Sequence, residues 1–144
     1  LKYFKVQEFR NYDKMAPELL CALDEFRHKI KAPVFISPAK GAQWRNDNTR
    51  SQHNINLSAQ KQSRAIDIFP SVSLWYAFLA AIEIPSIKGI GIYPHWRYKN
   101  LTYGMHLDVR DTEDKVIWWE NSDREYITIH SFEQLNSMIK EYVK

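Results

Sequence analysis

Residues 89–110 read GIGIYPHWRYKNLTYGMHLDVR. Two runs that this stretch contains or begins in, Lys88 to Tyr93 and Gly104 to Val109, carry the β-branched and aromatic residues that suit a pleated, half-buried surface, and so predict strands. Strand alternation puts His106 and Asp108 on one face of the second run and Met105, Leu107 and Val109 on the other. An imidazole and a carboxylate together on one face of an otherwise apolar sheet make at least a polar site.

A second stretch, SQHNINLSAQKQSRAIDIFP at residues 51–70, contains another short strand, Ala65 to Phe69, ended by Pro70. Asp67 sits in it between Ile66 and Ile68. A buried, unpaired carboxylate loses much of its hydration, so Asp67 calls for a cation, a metal or several donors beside it. Two further strands are expected at Val34 to Ser37 and Lys115 to Glu120.

Helices bracket these strands. Residues 17–30 place Leu19, Leu23, Phe26 and Ile30 at helical spacing behind Pro17, which suits a first turn. Residues 71–82, SVSLWYAFLAAI, combine a serine cap with a long apolar segment. The tail from Ser131 to Val143 lines up Phe132, Leu135, Met138, Ile139 and Tyr142 on one face. Residues 38–64 are polar and without periodicity, and a stretch of that length inside a compact domain points to function. With no repeat, linker or low-complexity segment, residues 1–144 read as one α+β domain: a small, mostly antiparallel sheet with flanking helices.

Composition narrows the function classes. The chain is 44% apolar and 14% aromatic, and no apolar run reaches the ~18 residues of a membrane span. The net charge of +3 is spread along the chain, which is weak support for a nucleic-acid partner; the basic loop and exposed tryptophans are all that favour it. Cys21 stands alone, so a metal site would draw on His, Asp and Glu. The amino terminus, LKYFKVQEFR, lacks the layout of a secretory signal, which predicts cytoplasmic synthesis and delivery by another route. Trp118 and Trp119 are consecutive on an expected strand, so one should face inward and the other outward.

Singly, His53 and His106 are weak signals. Together with Asp67 they form a set: two imidazoles and a carboxylate, the donors a catalytic zinc uses when its fourth position is left to water. The pattern resembles the zinc D-Ala-D-Ala carboxypeptidase family, which includes phage cell-wall endopeptidases and shares its metal site with the hedgehog signalling domain. The elements that carry the resemblance are Ser51-Gln52-His53, Ala65-Ile66-Asp67-Ile68, Gly89-Ile90-Gly91-Ile92-Tyr93-Pro94 and His106-Leu107-Asp108-Val109-Arg110, in that order.

The resemblance implies a Zn2+ ion bound by His53, Asp67 and His106, with Asp108 and Arg110 behind them. It implies a metallopeptidase, carboxypeptidase or endolysin-type endopeptidase, that cleaves peptide bonds in bacterial peptidoglycan. A phage or prophage origin, with release by a holin or carriage in the virion, belongs to the same expectation. Asp108 and His95 are the candidate acceptors of the water proton, and Lys40 or Arg45 the candidate anchor for a substrate carboxylate. The chain departs from the family pattern at three points. His53 and Asp67 are fourteen residues apart, about twice the usual spacing, which reads as a loop insertion; Ser63 replaces a glycine; and Tyr103 stands where relatives carry a carboxylate base. The alternative is a catalytically inactive zinc-binding or structural module of the same fold.

Overall fold

The computed structural model describes residues 1–143. Its elements follow in the order α1 (Pro17–Ile30), β1 (Val34–Ile36), β2 (Ala65–Pro70), α2 (Leu74–Ile82), β3 (Gly89–Tyr93), β4 (Gly104–Asp108), β5 (Val116–Glu120), β6 (Tyr126–Thr128) and α3 (Phe132–Tyr142), with single 3₁₀ turns at Val6–Glu8, Tyr12–Lys14 and Ile55–Leu57. The helices are where local chemistry puts them. Pro17 occupies the first turn of α1, and Lys31 closes it in the left-handed conformation (φ 53°). Ser73 and Ser131 cap α2 and α3 by accepting from the backbone N–H of Tyr76 and Gln134. No helix among the described residues is long and apolar enough to cross a membrane.

The six strands form one sheet in the order β1-β2-β4-β3-β5-β6. It is mixed, not mostly antiparallel as the sequence suggested, because β3 and β5 run parallel. The reason is topological. Strand β4 is flanked on both sides, by β2 and β3, so the strand that follows it joins at an edge of the sheet, here that of β3. A strand reversed relative to β4 is necessarily parallel to β3. Strand β6 was not expected from sequence: its three residues are all exposed, so no buried alternation marks it.

One face of the sheet is the core face. Ile66, Ile68, Ile90, Ile92, Met105, Leu107 and Trp119 pack there against Leu19, Leu23 and Phe26 of α1, Ala77 and Phe78 of α2, and Leu135 of α3. Burying a side chain such as Phe26 contributes about 1.5–3 kcal/mol relative to leaving it exposed. The opposite face carries the odd residues of β2 and β3 and the even residues of β4 and β5. Asp67 is directly across from His106, and His106 from Gly91, which pairs in turn with Trp118.

Candidate metal centre

The site is built from three segments. Strands β2 and β4 bring Asp67 and His106 together because their registers match, so both side chains rise from neighbouring pleats on the same face. His53 arrives from the polar stretch after β1, which has a definite fold although it holds little regular structure. Asp67 N–H donates to the carbonyl of Ala42, Arg45 N–H to that of His53, and Ile55 N–H to that of Arg45. The buried Asn54 amide donates to the carbonyls of Asp47 and Thr49 at 2.9 and 2.8 Å, and so ties the loop on either side of His53 to itself. Asn54 escaped sequence reasoning, since nothing local separates a loop hub from an ordinary polar residue.

His53 Nε2, Asp67 Oδ1 and His106 Nδ1 form a triangle with all three sides 3.2 Å. The residues are 2%, 6% and 6% exposed. Hydrogen bonding alone does not account for this triangle. The Asp67 oxygen can accept from both rings, but the two N–H groups would then face each other at 3.2 Å with neither nitrogen offered an acceptor by the other. A tetrahedral ion with bonds of ~2.0–2.1 Å holds its donors ~3.3–3.4 Å apart, close to the observed spacing. The donor set therefore fits a metal ion.

Electrostatics agree with that geometry. Burial alone would raise the Asp67 carboxyl, but hydrogen bonds from His106 and His53, and their charges, outweigh it and hold the group down at about 2. Burial would likewise lower His106, and its contacts with Asp108 and Asp67 instead lift it to about 8. Without an ion, a proton held by His106 thus takes the place of a cation beside the ionised Asp67.

Behind the triangle, His106 Nε2–H donates to Asp108 Oδ2 at 2.7 Å. Asp108 can only accept, so a neutral His106 keeps its proton on Nε2 and turns the lone pair of Nδ1 toward His53 and Asp67, the form an ion would bind. Asp108 is fully buried, and Arg110 grips it with Nε at 2.8 Å and Nη2 at 2.6 Å while the Arg110 backbone N–H adds a bond at 3.2 Å. These partners hold the Asp108 carboxyl well below the usual carboxylate range against the opposing effect of burial. Space for the carboxylate comes from Gly89 opposite it in β3, where a Cβ would lie 2.0 Å from Asp108 Oδ2.

The other residues singled out from sequence lie elsewhere. Both oxygens of Asp108 are engaged by His106 and Arg110, so it positions His106 and has no free acceptor for a water proton. His95 packs edge-on against Tyr142 of α3, with ring centroids 6.5 Å apart, and lines a surface cavity with Trp119, Asn121 and Met138. Tyr103 belongs to the core, where its hydroxyl donates to the carbonyl of Val72 at 2.8 Å. Parity explains this: three positions before His106 on a strand is the opposite face, the one Met105 and Leu107 share. Lys40 and Arg45 do come together, lining a cavity of about 620 Å³ with Arg10, Gln43 and Trp44, although Arg45 Nε also donates to the carbonyl of Gly41. Of the tryptophan pair, Trp119 faces the core and Trp118 faces the site, where it lies against His106.

Searches among protein-family models, curated proteins and solved structures find no match to the chain.

Proposed function

We propose that the protein is a zinc metallopeptidase that hydrolyses peptide bonds in bacterial peptidoglycan, as a carboxypeptidase or an endolysin-type endopeptidase of phage or prophage origin. The observation that carries this reading is the equal-sided triangle of His53 Nε2, Asp67 Oδ1 and His106 Nδ1 on a buried sheet face. Two imidazoles and one carboxylate suit zinc and leave one position of a tetrahedron open. A bound zinc ion would acidify a coordinated water and polarise an amide carbonyl. The chain's own contribution is to hold the three donors, to keep the His106 proton on Nε2 through Asp108, and to fix Asp108 through Arg110. The cavity lined by Arg10, Lys40 and Arg45 offers positive charge to a substrate carboxylate. The peptidoglycan substrate rests on the order of the four sequence elements and on the ligand set they supply.

One observation favours a second reading, a zinc-binding module without hydrolytic activity. Of the two candidate proton acceptors, Asp108 is committed to Arg110 and His106 and His95 packs against Tyr142 of α3, while Tyr103, at the position of the family's base, belongs to the core. Elemental analysis of purified protein followed by digestion of muropeptides separates the two. The peptidase reading expects about one zinc per chain and release of peptide fragments that stops in Asp67→Ala. Stoichiometric metal with intact muropeptides at any enzyme concentration would leave the module, and protein without metal after zinc loading would remove both.

A further inference from the structure

We propose that Trp118 is a positioning residue of the metal centre, and that Gly91 exists to let it reach His106. The proposal rests on the metal-binding reading of the triangle and goes beyond the ligands and the Asp108–Arg110 pair. The parallel pairing of β3 with β5 sets Gly91 beside Trp118 on the site face. A Cβ at Gly91 would lie 2.6 Å from both Cε2 and Nε1 of the indole and 2.7 Å from Cζ2. The indole therefore lies on the bare Cα of its neighbour strand and crosses toward β4. Glycine inside a strand costs about 0.5–1 kcal/mol relative to alanine, and it often marks such a close approach.

What the indole reaches is a metal ligand. Its ring centroid is 5.0 Å from that of His106, at an interplanar angle of 53°. Its Nε1–H donates to the hydroxyl of Tyr93 at 3.0 Å, which fixes the plane of the ring. The guanidinium carbon of Arg110 stands 5.4 Å from the Trp118 ring while Nε and Nη2 of the same side chain hold Asp108. The contacts close a loop: Trp118 touches His106, His106 is held by Asp108, Asp108 by Arg110, and Arg110 faces Trp118 again.

The mechanical need for such a wall follows from the hydrogen bond behind His106. A single Nε2–H···Oδ2 bond fixes the proton and the distance of the ring but allows the imidazole to swing about that axis, which moves Nδ1 off the triangle. A rigid aromatic plate against the side of the ring removes the swing before any ion arrives. Less ordering is then left to occur on binding, and affinity rises.

The test measures metal affinity, not turnover. Zinc dissociation constants are determined by competition with a chromophoric chelator, and the visible spectrum of the Co2+ form reports ligand geometry. Far-UV circular dichroism confirms the fold of each variant. Trp118→Leu should weaken zinc binding about tenfold, in the range found when outer partners of metal ligands are removed, and shift the cobalt bands; Trp118→Phe should lose less. Gly91→Ala should weaken binding similarly by displacing the indole, and the double variant Gly91→Ala/Trp118→Leu should be no worse than Trp118→Leu, because leucine leaves room for the new methyl. Folded Trp118→Leu and Trp118→Phe proteins with affinities within about twofold of wild type and unchanged cobalt spectra would overturn the proposal. Additive losses in the double variant would overturn the role given to Gly91. Wild-type protein that takes up neither ion refutes the metal centre itself, a result distinct from wild-type binding that ignores Trp118.

Discussion

Replacing Asp108 by asparagine keeps the shape of the side chain and changes one chemical property. The carboxylate can only accept hydrogen bonds, whereas the amide offers both a donor and an acceptor. In the native site, Asp108 Oδ2 receives the Nε2–H of His106 at 2.7 Å, and Arg110 donates to both carboxylate oxygens at 2.6–2.8 Å. Arg110 has no acceptor to offer, so in Asp108→Asn the guanidinium claims the amide oxygen and the amide NH₂ is turned toward His106. The His106 ring then does best with its proton on Nδ1 and its lone pair on Nε2, the tautomer that cannot bind an ion between His53 and Asp67. Loss of an outer partner of this kind weakens metal binding about 10–100-fold. That corresponds to about 1.4–2.8 kcal/mol. Chelator competition at neutral pH measures it directly, and Co2+ spectroscopy shows whether a three-donor site survives. A folded Asp108→Asn protein that binds zinc as tightly as wild type would refute tautomer control by Asp108.

Three further outcomes follow from particular contacts. Tyr103→Phe removes the bond to the Val72 carbonyl and should cost about 1 kcal/mol in urea unfolding with zinc content unchanged; a loss of metal would mean that the phenol acts at the site. Gly89→Ala drives a methyl into the Asp108 carboxylate, which is buried and held on both oxygens, and should cost about 1–3 kcal/mol or more and lower the melting temperature. Phe26→Ala empties a fully buried position of α1 against the sheet and should cost about 3–5 kcal/mol by denaturant titration, while the triangle, on the other face, keeps its metal affinity.

Much of the site was legible because its chemistry is carried by residue type. An aspartate between two isoleucines, a histidine and aspartate two apart on an apolar strand, and a histidine leaving a polar loop each announce a polar group that needs a partner, and the three candidate donors do converge. Parity along β4 also contained the fate of Tyr103, since it shares the face of Met105, although the family pattern drew attention to its distance from His106 instead. The saturation of Asp108 was hidden. It depends on Arg110 folding back onto the same carboxylate, and on the missing Cβ of Gly89 one strand away.

The amino-acid order by itself determined the helices, five of the strands and the three residues that could hold a metal ion, because helical and strand periods, caps and buried charge are short-range properties of the chain. Tertiary structure alone decided the neighbours. It set β5 parallel beside β3, recruited the exposed β6 by edge pairing, and folded the stretch from 38 to 64 through Asn54 and backbone bonds to distant residues. It also laid Trp118 over Gly91 against His106. These outcomes depend on which groups meet across a sheet, and residues that meet there are separated in sequence by loops whose paths no local pattern specifies.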